Sequence, residues 1–272
     1  MSRRSVAVVA GVAWAILATT LPLSGQNVYY SGSLQLSSGQ YDVSERSNSL
    51  FFFNGVSAST GPLRFSASIG LILRSSPAIS YSSVGTAGTA SGTGGGSGSS
   101  TVALVDTSSY EEFGFGDPLA HGDVLLVREG KILPAVRITA DVKPPLADAE
   151  RGFGTGEWDY AAGLSLAKAL GTTLVFVDLS YWMLGDPVEL DLKDPVAYGV
   201  GVGRPIAGGR LGILVSLFGY TQILDGVDPP MQVSLGLSYL LRNGRSIMGS
   251  AALGLSESSP DISLSVGWSL RL

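Results

Sequence analysis

The final eleven residues, Ile262–Leu272, constrain the fold more than any other stretch of this chain. Ile262, Leu264, Val266, Trp268, Leu270 and Leu272 share one parity, and Ser263, Ser265, Gly267, Ser269 and Arg271 share the other. A strand sends successive side chains to opposite faces, so the segment has one apolar face and one small, polar face. Its length suffices to cross a bilayer as a tilted strand. If it closes a barrel, other strands must repeat its length and alternation, and a secretion signal should stand in front of them.

Composition agrees with that reading. The 272 residues include 37 Gly, and only 14% are charged, against about 25% in a typical soluble domain. No segment after the N-terminal region has the uninterrupted apolar run of a membrane helix, so apolar character is spread over strands that are greasy on one side. There is no cysteine, which removes disulfides, thiolate catalysis and cysteine metal sites. The net charge of −5 and the lack of a basic stripe leave nothing to neutralise phosphates, so no nucleic-acid partner is expected.

Residues 1–25 read as a signal peptide, with Arg3 and Arg4 ahead of an apolar core from Val6 to Ala18 and helix breakers at Pro22 and Gly25. From Asn27 the period-two pattern begins. Leu63, Phe65, Ala67, Ile69, Leu71 and Leu73 alternate cleanly with Arg64, Ser66, Ser68, Gly70 and Arg74. Phe51-Phe52-Phe53 leaves the parity of the second strand open, because consecutive rings must point to both sides. Residues 75–112 break the rhythm with a Gly/Ser-rich tract, read as a long extracellular loop. Beyond it the spacing is regular: Phe113–Val127, the turn Arg128–Lys131, Ile132–Val142, then seven further segments. Asn243-Gly244 is a strong hairpin signal.

Residues 26–272 are therefore expected to form an all-β transmembrane antiparallel up-and-down barrel. Twelve strands are read from the pattern, with about ten to fourteen left open because the 75–112 segment has room for a hairpin. Tight and long connections alternate, as they do when one barrel end faces the periplasm and the other faces outward. That places the chain in the outer membrane of a Gram-negative bacterium with both termini periplasmic. Outer-membrane lipids, the barrel-assembly machinery and small-molecule solutes are the expected partners, and no cofactor or metal is expected.

Charges aimed into lipid are costly, so those on the polar faces belong in the lumen. The candidates are Arg64, Arg74, Asp117, His121, Asp123, Arg137, Asp141, Asp159, Asp178 and Arg271. They can pair to brace the wall or line an aqueous route. Tyr181, Tyr198, Tyr239 and Trp268 fall on apolar faces and suit the two membrane interfaces. His121 is the only histidine, and no Gly-x-Ser-x-Gly elbow accompanies it, so an enzyme is not expected.

Gly114-Phe115-Gly116-Asp117 opening a strand, Lys143-Pro144-Pro145, and Ala149-Glu150-Arg151-Gly152-Phe153-Gly154-Thr155-Gly156 together resemble the outer-membrane barrels of the meta-pathway phenol-degradation family, often called transporters. The motifs cover residues 113 to about 170. The resemblance implies an envelope channel or transporter for uptake of small, hydrophobic or aromatic molecules. A structural or adhesive surface protein and an outer-membrane lipid hydrolase are the alternatives. In the matched loop, Gly152, Gly154 and Gly156 permit positive φ, which lets the backbone fold back over the barrel mouth. Asp148, Glu150 and Arg151 would then sit at the rim, either gating entry or forming a plain ordered turn.

Overall fold

A computed structural model describes residues 27–40, 47–74, 113–187 and 191–272. The expected signal peptide and the whole 75–112 loop lie outside these residues, as does the side chain of Arg74. The strands are β1 (Asn27–Gly39), β2 (Ser47–Thr60), β3 (Leu63–Arg74), β4 (Phe113–Phe115), β5 (Leu119–Val127), β6 (Ala135–Lys143) and β7 (Asp159–Leu170). They continue with β8 (Thr173–Met183), β9 (Val196–Ile206), β10 (Leu211–Tyr220), β11 (Met231–Leu240), β12 (Ser246–Gly254) and β13 (Ile262–Arg271). Each pairs antiparallel with its neighbours, and β1 joins both β2 and β13, so the sheet closes on itself. β4 and β5 both pair with β3 and occupy one place in the wall, which makes a barrel of twelve positions. Closure leaves no exposed strand edge, the condition a sheet must meet in lipid.

The seam pairs Ser38 with Ile262 at one end and Tyr29 with Arg271 at the other. Leu272 extends it by donating its N–H to the carbonyl of Val28 at 2.9 Å. Gly32 faces Trp268 across the seam. A Cβ on Gly32 would lie 2.5 Å from the Trp268 ring, so the indole lies flat over bare backbone. The same device recurs inside the barrel, where Phe176 covers Gly201 and Phe53 covers Gly70. A ring over a strand glycine restores the packing that a missing side chain forfeits.

Alternation sorts the faces as expected. Leu34, Leu36, Leu164, Val200, Val215, Leu235, Leu264 and Val266 are exposed on the outside, while Gln35, Ser37, Asp141, Asp159 and Ser263 are buried within. Tyr181 and Tyr239 are exposed on the outer face near opposite ends of the wall, which fits an interface position for each. The register resolves the Phe run. Phe51 and Phe53 point inward with Gln35 and Ile72, and Phe52 points outward, 6.2 Å from the Trp268 ring.

Two local expectations need correction. The stretch Phe113–Val127 is broken at Gly116–Pro118, because Pro118 has no N–H to give the ladder. The turn expected at Arg128–Lys131 runs on to Pro134, so β6 starts at Ala135 and Ile132 is 89% exposed. Pro134 again removes a ladder donor, and a register shift between Leu125 and Val127 absorbs the extra length. The tight turns after β2, β7, β9 and β11 contain Gly61, Gly171, Gly208 and Gly244, all at positive φ. The longer connections gather at the opposite end.

Candidate functional site

The register places the charged residues of the inner face on one wall. Arg64 on β3 faces Asp123 on β5, and His121 on β5 faces Asp141 on β6. Asp123, whose side chain is only 2% exposed, accepts both its hydrogen bonds from the Arg64 Nε at 2.8 and 3.1 Å, and accepts a further one from Arg137. The imidazole of His121 lies between two carboxylates, with Nδ1 2.8 Å from Asp141 and Nε2 3.5 Å from Asp123. Both ring nitrogens therefore face carboxylate oxygens, which braces the wall and leaves neither aimed at a serine hydroxyl as hydrolysis would require.

A second group lies nearer the long-loop end. Lys143, at the end of β6, reaches Asp159 on β7 at 2.7 Å and Asp117 in the β4–β5 break at 3.2 Å. Asp159 is fully buried and also accepts the N–H of Gly185 at 3.0 Å. Asp117 accepts the N–H of Ala147 at 2.8 Å, and Lys143 donates to Thr155 Oγ1 at 3.4 Å. These bonds tie the loop between β6 and β7 to the inner wall. Across the two groups, Arg64, Arg137 and Lys143 face Asp117, Asp123, Asp141 and Asp159, with His121 between two of the carboxylates. Nearly every charge is thus spent on another charge rather than presented to a solute.

Apart from Arg271 at its short-turn end, the other wall carries small neutral groups. Ser37 and Ser263 share a hydrogen bond at 2.9 Å, Ser216 and Ser234 one at 2.7 Å, and Ser250 and Ser265 one at 2.6 Å. Gly199, Gly201 and Gly203 alternate inward along β9 opposite these small groups' strands.

Apolar side chains close in at the long-loop end. Trp182, Ala197 and Tyr220 point inward from β8, β9 and β10, and Leu192 and Ile223 fold onto them from the loops that follow β8 and β10. A separate cluster joins Phe51, Phe53 and Ile72 of the wall to Phe153 of the β6–β7 loop. Phe51 and Phe53 stack with centroids 5.8 Å apart. Phe51 is 1% and Phe153 is 5% exposed.

Of the residues expected in the lumen, Arg64, Asp117, His121, Asp123, Arg137, Asp141 and Asp159 are gathered into the two charge groups. Asp178 also lies on the inner face, opposite Ser165 and Gly199. Arg271 stands apart at the short-turn end, donating to the Asn27 side chain at 2.7 Å. Asp148, Glu150 and Arg151 are exposed, and Arg151 pairs with Asp148 at 3.2 Å. Gly152 and Gly156 take the expected positive φ, but Gly154 does not. Its smallness serves a close approach instead, since a Cβ there would fall 2.5 Å from Asp117 Oδ2 and 2.8 Å from Ala147.

The apolar mouth went unread in the sequence. Its signal was present as aromatic residues sharing a parity with polar ones: Trp182 with Asp178 and Ser180, and Phe51 and Phe53 with Ser49 and Gly55. Phe153, Leu192 and Ile223 carried no such signal, because loop residues have no parity.

The backbone is similar to that of an outer-membrane channel from Pseudomonas putida F1, with a TM-score of 0.65 and 12% identity over 92% of this chain and 97% of that one. It bears a weaker similarity to the KdgM porin, with a TM-score of 0.49 and 7% identity over 90% of this chain and 99% of that one. The CymD monoaromatic hydrocarbon channel follows with a TM-score of 0.48 and 12% identity over 91% of this chain and 88% of that one. No family model and no curated protein matches the sequence. Closed wall, apolar exterior and likeness to the Pseudomonas protein agree on the fold, which is a closed antiparallel β-barrel of the outer-membrane type.

Proposed function

We propose that this chain is an outer-membrane channel that admits small hydrophobic molecules, aromatic ones among them, with its termini on the periplasmic side. The observation that carries this reading is the apolar long-loop end of an otherwise polar lumen, where Trp182, Tyr220, Phe51, Phe53 and Phe153 are directed inward. Inward aromatic rings remove apolar solute surface from water at about 25 cal/mol per Å². Ser and Gly on the inner faces of β9, β11, β12, β13 and β1 then add small groups to the wall. Mutual pairing of the lumenal charges favours neutral solutes over ions, because a paired charge attracts a counter-ion weakly.

Plain phospholipid bilayers pass small aromatics unaided, so the test needs an intact lipopolysaccharide leaflet. Initial uptake of labelled toluene and of labelled arabinose is compared in Gram-negative cells with and without the full-length protein. Faster uptake of toluene, with arabinose unchanged, is the expected result. Toluene uptake equal to that of cells lacking the protein refutes the proposal, and a gain for arabinose alone identifies a polar-solute pore instead.

A further inference from the structure

Among the described residues, Phe153 is a loop residue whose ring is buried against wall aromatics. It packs with Phe51, Phe53 and Ile72, all buried, and its ring lies directly over Gly114 of β4. A Cβ on Gly114 would sit 2.3 Å from Phe153 Cδ2, with two more ring carbons within 2.5 Å, so this space exists only because position 114 has no side chain. The slot is thus lined by two phenyl rings and an isoleucine, closed by bare backbone at Gly114, and filled by the phenyl ring of Phe153. The loop that delivers the ring turns at Gly152 (φ 71°) and Gly156 (φ 77°) on either side of it. Polar ties between the loop and the wall run through Asp117 to the Ala147 N–H and Lys143 to Thr155, and Ala147 also packs on the apolar cluster.

We propose that the slot formed by Phe51, Phe53, Ile72 and Gly114 is a binding site for a monoaromatic ring, and that Phe153 is its resident surrogate, displaced when a ligand ring enters. The proposal rests on the channel reading above and names the place where its solute is first held. Exchange of one phenyl group for another leaves the buried apolar area nearly unchanged, so the ligand has little net desolvation to gain or lose. Ring contact with Phe51 and Phe53 is likewise open to any benzene derivative. Saturated rings of similar volume keep the area but lose the aromatic contact.

The test uses the full-length protein in detergent, with 4-fluorophenylalanine incorporated at position 153 and read by fluorine NMR. Titration with toluene is expected to move the resonance saturably toward that of a solvent-exposed ring, with methylcyclohexane needing several-fold higher concentration. A second variant, Gly114→Ala, places a methyl group in the slot: the probe should be shifted toward the exposed position before any ligand is added, and the toluene response should shrink severalfold. A resonance that stays put up to toluene saturation overturns the proposal, as does a toluene response in Gly114→Ala equal to that of the parent. The two readings separate cleanly. Displacement without cellular toluene uptake leaves the slot and removes the channel function, whereas uptake without displacement does the reverse.

Discussion

Replacing Asp123 by Ala exposes how the charged wall is held together. The carboxylate is 2% exposed and is the shared acceptor of Arg64 and Arg137, whose side chains are 23% and 20% exposed. Removing one partner from a buried ion pair costs about 3–5 kcal/mol, because the remaining charge loses its compensation. Here two guanidinium groups are left facing each other, but their partial exposure lets them turn toward lumenal water. A net loss of about 2–4 kcal/mol is expected, which lowers the folding equilibrium constant roughly 30- to 700-fold. Urea titration of the refolded barrel, followed by the fluorescence of Trp158, Trp182 and Trp268, reads this as a lower midpoint at constant slope. The triple variant Arg64→Met, Asp123→Leu, Arg137→Met removes the charges together and should recover most of the loss, since apolar replacement of a whole buried network is close to neutral. A single variant within about 0.5 kcal/mol of the parent refutes the bracing role, because that is the range of an ordinary surface change. A triple variant less stable than the single one refutes it equally.

Three further outcomes follow from other parts of the wall. Gly201→Ala puts a Cβ 2.2 Å from Phe176 Cζ; overpacking of this kind costs about 1–3 kcal/mol, and Phe176→Leu in the same chain should restore the urea midpoint. Asn243 sits at φ 62° in the turn between β11 and β12, so Asn243→Val should destabilise by about 1–2 kcal/mol while Asn243→Gly leaves the midpoint unchanged. Glu129, in the short turn before β6, accepts the Ala169 N–H at 2.8 Å, and that bond, helped by Lys168, holds its carboxyl below the ordinary 4.5. A depressed carboxylate stabilises the fold above its unfolded value and loses that contribution as pH falls through the folded one. Amide exchange at Ala169 should therefore quicken in acid, beyond the intrinsic pH trend, as pH drops below about 4.5, and Glu129→Gln should abolish that extra dependence.

The inward placement of Arg64, Asp123, Asp141 and Asp159 was legible from parity alone. Their pairing was not. Asp123 meets Arg64 because β3 and β5 become neighbours across the unassigned 75–112 segment, and that neighbourhood is a consequence of register. Lys143 illustrates the same limit: it stood in the sequence beside two prolines, and only the alignment of β6 with β7 sets it against Asp159. Gly154 shows a subtler one. Glycine in a loop suggests positive φ, but here the missing Cβ makes room for Asp117, a residue far away in the chain.

Strand length, face and number were determined by the sequence itself, because each rests on local backbone geometry: a side-chain period of two, about ten residues to cross the hydrocarbon layer, and turn residues that interrupt it. The same locality made the tight turn at Asn243-Gly244 readable. Tertiary structure alone decided what fills the lumen. Phe153, Leu192 and Ile223 come from loops, where no periodicity assigns a face, and they turn inward because the barrel presents buried apolar side chains for them to cover. Burial of that kind depends on which walls stand opposite each other after closure, a property of strand register and shear that no single segment contains.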